Sequence, residues 1–214
     1  MIDSKALAEF FGTATLLLAV VGSSFMAERL TQDSALALLI NATVTAAVLA
    51  LIIRSGVNLS GAHFNPVVTL TALLLGKIKA LEALVYLIAQ VLGAIFGVIL
   101  ANLMFAEVVF SSSSIQRDGV AQLLGEVIAT TGLVFIAFSA RKKHVWKLIP
   151  LWIFGAYFFT VSTSFANPAV TLARFLTDAP AGIASSSLPG FIAAQLLGAL
   201  LVLAVLRNRE RISR

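Results

Sequence analysis

The chain has 214 residues, of which 59% are hydrophobic and 12% charged, about half the charged share of an ordinary soluble domain. Its charges fall between long apolar runs, which excludes a water-soluble globule and describes a chain threaded through a bilayer. The net charge of +5 does not imply a nucleic-acid partner, because the basic residues flank apolar segments and build no basic face.

The first apolar run covers residues 4–27. Its Lys5 and apolar body are like a signal peptide, but Glu9 opens the run, no Ala-x-Ala site follows, and five more such runs come later. It reads as a retained first transmembrane helix. Further spans are expected at 35–54, 80–106, 120–140, 147–163 and 188–206, each close to the roughly 20 residues that cross a bilayer as helix. None shows the period-two alternation of a membrane β-strand.

Two apolar segments, 66–75 and 168–176, are half that length. Each opens with Asn-Pro: Asn65-Pro66-Val67 in "FNPVVTL" and Asn167-Pro168-Ala169 in "FANPAVTL". Asn is a strong N-cap, and Pro suits the first helical position. Gly76 is a natural stop for the first. Both read as half-helices whose N-termini lie inside the membrane. A single Asn-Pro is usually only a turn. Two copies with one Val-Thr-Leu tail, on matching short segments, say more, since irregular backbone at membrane depth must line a cavity or be buried in protein.

The order of elements repeats as span, span, half-helix, span. "AEFFGT" at residue 8 matches "GEVIAT" at 125, setting Glu9 against Glu126. "AQVLGA" at 89 matches "AQLLGA" at 194, setting Gln90 against Gln195. An odd number of spans per half turns the second half upside down. The fold class is therefore an all-α membrane protein of six transmembrane helices and two re-entrant half-helices, built as inverted repeats 1–112 and 113–214, with its site near the midplane. With both termini inside, twelve Lys and Arg face the cytoplasm and three, Arg29, Arg117 and Arg174, face out. This orients the chain as a multi-pass protein of the cell's inner membrane.

Each half-helix presents its positive end to the bilayer centre. The Asn65 and Asn167 side-chain oxygens cap their own helices, which frees their amide N–H groups to donate. Such a centre suits neutral hydrogen-bonding solutes and repels cations. Glu9 and Glu126 allow two readings. They are a proton relay or ion site, or, as is favoured, acceptors that hold the loops. His63 is expected to make an orienting hydrogen bond within its loop, with a pore-facing switch as the alternative. Gly93 and Gly97 suit close helix packing. With no cysteine and two histidines, no metal or other cofactor is expected. An intramembrane hydrolase lacks a nucleophile elbow.

The two Asn-Pro half-helices, the Glu near each half's start and the Ala-Gln near each half's end resemble the aquaporin and aquaglyceroporin family over nearly the whole chain. The resemblance implies passive flow of water or small neutral solutes, with one pore in each subunit of a homotetramer. It also implies loop-supporting roles for Glu9, Glu126, His63, Gln90 and Gln195. Two departures stand out. Val67 replaces the usual alanine of the first motif. Val170 occupies the place, three after the second Asn, where the family usually keeps an arginine. Family spacing implies a filter of Thr45, Gly155, Ser164 and Val170, none large and none charged, and hence a wide opening. Arg174, four residues after Val170, is either a displaced charge at the outer mouth or a snorkelling interfacial residue. The small residues at these positions resemble the aquaglyceroporins linked to bacterial arsenic-resistance operons, which implies arsenite and methylated arsenicals beside glycerol-like polyols. The rival reading is a proton-coupled secondary transporter using Glu9 or Glu126.

Overall fold

A computed structural model describes the backbone of residues 2–212 and the side chains of residues 4–208. Arg209, Arg211 and Arg214, three of the basic residues counted toward orientation, therefore lie outside the described side chains. The chain forms α1 (Ile2–Leu30), α2 (Ser34–Gly56), α3 (Pro66–Leu74), α4 (Ala80–Met104), α5 (Val120–Ser139), α6 (Val145–Phe159), α7 (Pro168–Arg174) and α8 (Leu188–Ile212). No strand occurs among the described residues.

Among the described residues five helices are long and apolar enough to cross a membrane, and α6, at 15 residues, is shorter. A helix of that length rises only about 22 Å. The fifth expected span, 147–163, is thus helical only over Val145–Phe159. The reason lies at its end. Thr160 is extended (φ −116°, ψ 138°), and Thr163 and Ser164 are left-handed (φ 58° and 53°). Residues 160–163 therefore belong to the loop that feeds α7.

The half-helices start as their sequences direct. Asn65 Oδ1 accepts from the Val67 amide at 3.0 Å, and Asn167 Oδ1 accepts from the Ala169 amide at 3.0 Å. Both prolines occupy the first turn, where a missing N–H costs nothing. The first half-helix stops at Gly76, whose φ of 68° lets the Lys77 amide reach back to the Ala72 carbonyl at 2.9 Å, a Schellman closure.

The halves pack alike. A Cβ at Gly93 or Gly97 on α4 would collide with the Phe10 or Ala14 carbonyl on α1, and one at Gly198 on α8 would press on the Val127 carbonyl of α5. Small residues let these backbones touch, which is how helices associate without a hydrophobic drive between them. One face of the bundle gathers Lys5, Lys77 and Lys142 around a shallow cavity, and Arg207 there donates to the Leu74 carbonyl at 2.8 Å. This is called the basic face below.

Candidate functional site

The loops before α3 and α7 carry the same backbone signature. Counting back from each Asn, positions −1, −3 and −4 have positive φ: Phe64 (49°), Ala62 (53°) and Gly61 (92°) in one loop, Ala166 (47°), Ser164 (53°) and Thr163 (58°) in the other. Non-glycine residues rarely enter this region, and such strain persists only where the surroundings enforce it.

Two buried carboxylates provide that enforcement. Glu9 Oε1 accepts from Ser60 Oγ at 2.6 Å and the His63 amide at 3.0 Å. Its Oε2 accepts from the Phe64 amide at 2.6 Å and Gln90 Nε2 at 2.8 Å. Glu126 accepts from the Phe165 amide at 2.9 Å, the Ala166 amide at 2.8 Å and Gln195 Nε2 at 2.6 Å. Each glutamine also donates to a half-helix threonine, Gln90 to Thr69 at 2.9 Å and Gln195 to Thr171 at 2.8 Å. Glu–loop–Gln–Thr is therefore built twice. Neither carboxylate lines any of the three cavities described below.

The half-helices meet head to head. Asn65 Nδ2 donates to the Ala166 carbonyl and Asn167 Nδ2 to the Phe64 carbonyl, both at 2.8 Å. The amide groups that capping leaves free to donate thus find an acceptor in the opposite loop. An amide has two hydrogens, and one from each Asn ties the opposite loop.

Both asparagines line a central cavity of about 140 Å³. Val68 and Val170, each three residues after its Asn, also line it, with His63, Thr45 and Ser164. His63 Nδ1 lies 3.1 Å from Thr69 Oγ1. Ser164 Oγ is buried without a hydrogen-bond partner. Gly61, Ala137, Phe138 and Val145 are shared with a cavity of about 530 Å³ on the basic face. On the opposite side a cavity of about 300 Å³ opens, and among the described residues Arg174 alone lines both it and the central one. The three cavities lie in series through the bundle.

Of the four residues expected at a filter, Gly155 faces elsewhere in this structure. Gly155 does not line the central cavity, and a Cβ there would meet only the exposed Phe159 ring. The cavity face of α6 is Ile149, Ile153 and Tyr157. Two helical residues turn about 200°, so Gly155 points away from that face. Packing sets this rotation: the Trp152 indole lies against Gly132 of α5 and donates to the Ala129 carbonyl at 2.9 Å. The cavity therefore receives an aromatic, Tyr157, whose hydroxyl donates to Thr45 Oγ1 at 3.2 Å. A large side chain thus lines the cavity beside Thr45, Ser164 and Val170. Tyr157 escaped sequence reading because counting from Asn167 carries no information about helix rotation.

Arg174 is 2% exposed, which removes the snorkelling alternative. Its Nε donates to the Ala181 carbonyl, and its guanidinium carbon stands 3.4 Å over the Phe165 ring. Arg117 stacks on the same ring at 5.0 Å and donates to the neighbouring Gly182 and Pro180 carbonyls at 2.7 and 3.1 Å.

Serial cavities that meet at paired half-helices, enclosed by long apolar helices, define a membrane channel. The family model described as "Major intrinsic protein" matches residues 2–163, and the chain belongs to that family, whose members are channels and not enzymes. It is 47% identical over 206 residues to "Aquaglyceroporin AqpS" of Rhizobium meliloti (strain 1021), covering 95% of this chain and 88% of that one. It is 34% identical over 161 residues to "Probable aquaporin TIP-type" of Medicago truncatula, covering 69% and 62%. The solved aquaglyceroporin from Plasmodium falciparum has the same fold, with a TM-score of 0.73 over 95% of each chain at 17% identity.

Proposed function

We propose that this chain is a passive channel for water and small neutral solutes, among them glycerol-like polyols, arsenite and methylated arsenicals. The observation that carries the reading is the Asn65–Asn167 pair. Each side chain caps its own half-helix, bonds the opposite loop and keeps a second amide hydrogen at the central cavity. A hydroxyl-bearing solute can accept from such donors while the half-helix ends repel cations. Undissociated arsenite is a trihydroxy molecule close to glycerol in size and hydrogen bonding.

Thr45, Tyr157, Ser164 and Val170 are the selecting side chains in this reading. Val170 leaves the usual arginine position apolar and open, and Ser164 Oγ is available to a solute. Glu9, Glu126, Gln90 and Gln195 support the loops. The saturated hydrogen bonding of both carboxylates, away from the cavities, weighs against the proton-coupled transporter. The basic face is cytoplasmic, with both termini inside an inner membrane, and four copies assemble with one pore each.

Stopped-flow light scattering on proteoliposomes tests this. Glycerol and arsenite should equilibrate faster than in empty liposomes, without saturation and without need of a pH gradient. Fluxes equal to those of empty liposomes would remove the proposal.

A further inference from the structure

We propose that Arg174 supplies the guanidinium that position 170 lacks, and that Arg174 and Tyr157 together form the solute-selecting neck and cation barrier of this channel. The inference rests on the channel reading and names its selecting residues. Arg174 follows Val170 by four residues on α7, so it lies on the same helix face one turn, about 6 Å, further along. It alone bridges the central and outer cavities among the described residues. A solute crossing between them passes this side chain.

Its posture is that of a presented donor. Only Nε has a hydrogen-bond partner among the described residues, the Ala181 carbonyl. Arg117 takes the carbonyls on either side, Pro180 and Gly182, so three successive carbonyls clamp the loop to two guanidiniums. Phe165 supports the Arg174 plane from below, a stacking that lysine could not reproduce. The terminal Nη groups remain for hydroxyl oxygens of a neutral solute. Glu28 and Asp33 line the outer cavity with Arg174. They draw cations to the mouth, and the buried guanidinium turns them back. The pseudo-symmetric position in the first half is Ala72, so the barrier stands on one side of the Asn pair only.

The test uses full-length protein in liposomes, with proton flux read from a trapped pH dye under an imposed potassium diffusion potential. An erythritol-to-glycerol flux ratio is measured beside it. Arg174→Met and Arg174→Gln should raise proton flux roughly tenfold or more, the scale of one charge removed from a partly desolvated site, and should raise the erythritol ratio. Adding Val170→Arg to Arg174→Met should restore both values, and Arg174→Lys should keep proton flux low. Glutamine retains a donor for the Ala181 carbonyl, which guards against misfolding of the methionine variant; helicity and monodisperse elution check both. A folded neutral variant with wild-type proton flux and polyol ratio overturns the proposal. So does a wild-type channel that passes protons as freely as glycerol. A wild-type protein that passes neither water nor glycerol overturns the channel reading itself, which is a different result.

Discussion

Tyr157 reaches from α6 to α2 and donates its hydroxyl to Thr45 Oγ1 at 3.2 Å, joining two cavity-lining residues 112 positions apart in the chain. Tyr157→Phe removes a bond of about 1 kcal/mol but keeps the ring, and should leave the polyol cutoff nearly unchanged. Tyr157→Ala removes the ring and should raise erythritol flux several-fold more than glycerol flux. Equal changes for both solutes would take Tyr157 out of the constriction.

Val170→Arg places a second guanidinium one turn below Arg174. The central cavity is small, about 140 Å³, so the added bulk should cut glycerol and arsenite flux by more than it cuts water flux. Stopped-flow traces on the same liposome batch give both numbers. Equal loss of water and glycerol flux would argue against Val170 standing at a constriction.

Asn167→Asp separates capping from cross-bonding. The carboxylate still accepts from the Ala169 amide, but its second oxygen now faces the Phe64 carbonyl where Nδ2 had donated. The unmatched acceptor pair should cost about 1–3 kcal/mol and lower solute flux. Asn167→Ala loses the cap as well, about 1 kcal/mol more. Melting in detergent should rank wild type above Asn167→Asp and Asn167→Asp above Asn167→Ala; an Asn167→Asp as stable as wild type would show that the cross-bond matters little.

Glu126→Ala strands the Phe165 amide, the Ala166 amide and one of the two Gln195 Nε2 hydrogens in a buried place. At about 1–3 kcal/mol for each unpaired donor, little folded channel should survive. Glu126→Gln keeps one acceptor oxygen and should retain folded protein of lower melting temperature. Its flux should be as indifferent to a pH gradient as the wild type's. A gradient-driven wild-type flux that vanishes in Glu126→Gln would revive the proton-coupled transporter.

Much of this architecture was legible in the sequence because bilayer thickness imposes a length on every element. Runs near 20 residues, two half-length runs behind Asn-Pro, and the matched Glu and Gln pairs suffice for the all-helical membrane fold and its twice-built Glu–loop–Gln–Thr unit. What stayed hidden follows from rotation and tertiary contact. Gly155 and Tyr157 differ by two residues, and only the seating of Trp152 on α5 decides which faces the cavity. The end of α6 is not visible in sequence because Thr160–Thr163 contain no charge, Gly or Pro to stop a span, while the Glu126 bonds two and three residues beyond Thr163 hold a loop there. Arg174 could be placed on the right helix face from spacing, but its burial against Phe165 depends on a loop carbonyl contributed by Ala181.

The reciprocal bonds at the centre also bear on how such a chain comes into being. The Phe64 carbonyl is satisfied by Asn167 and the Ala166 carbonyl by Asn65, so neither half can complete its own loop. During membrane insertion the first half must wait, its short helix lacking a counterpart, until the final third of the chain arrives. The molecule is in this sense a heterodimer that has been covalently joined, and its conduit comes into existence only at the last step of assembly.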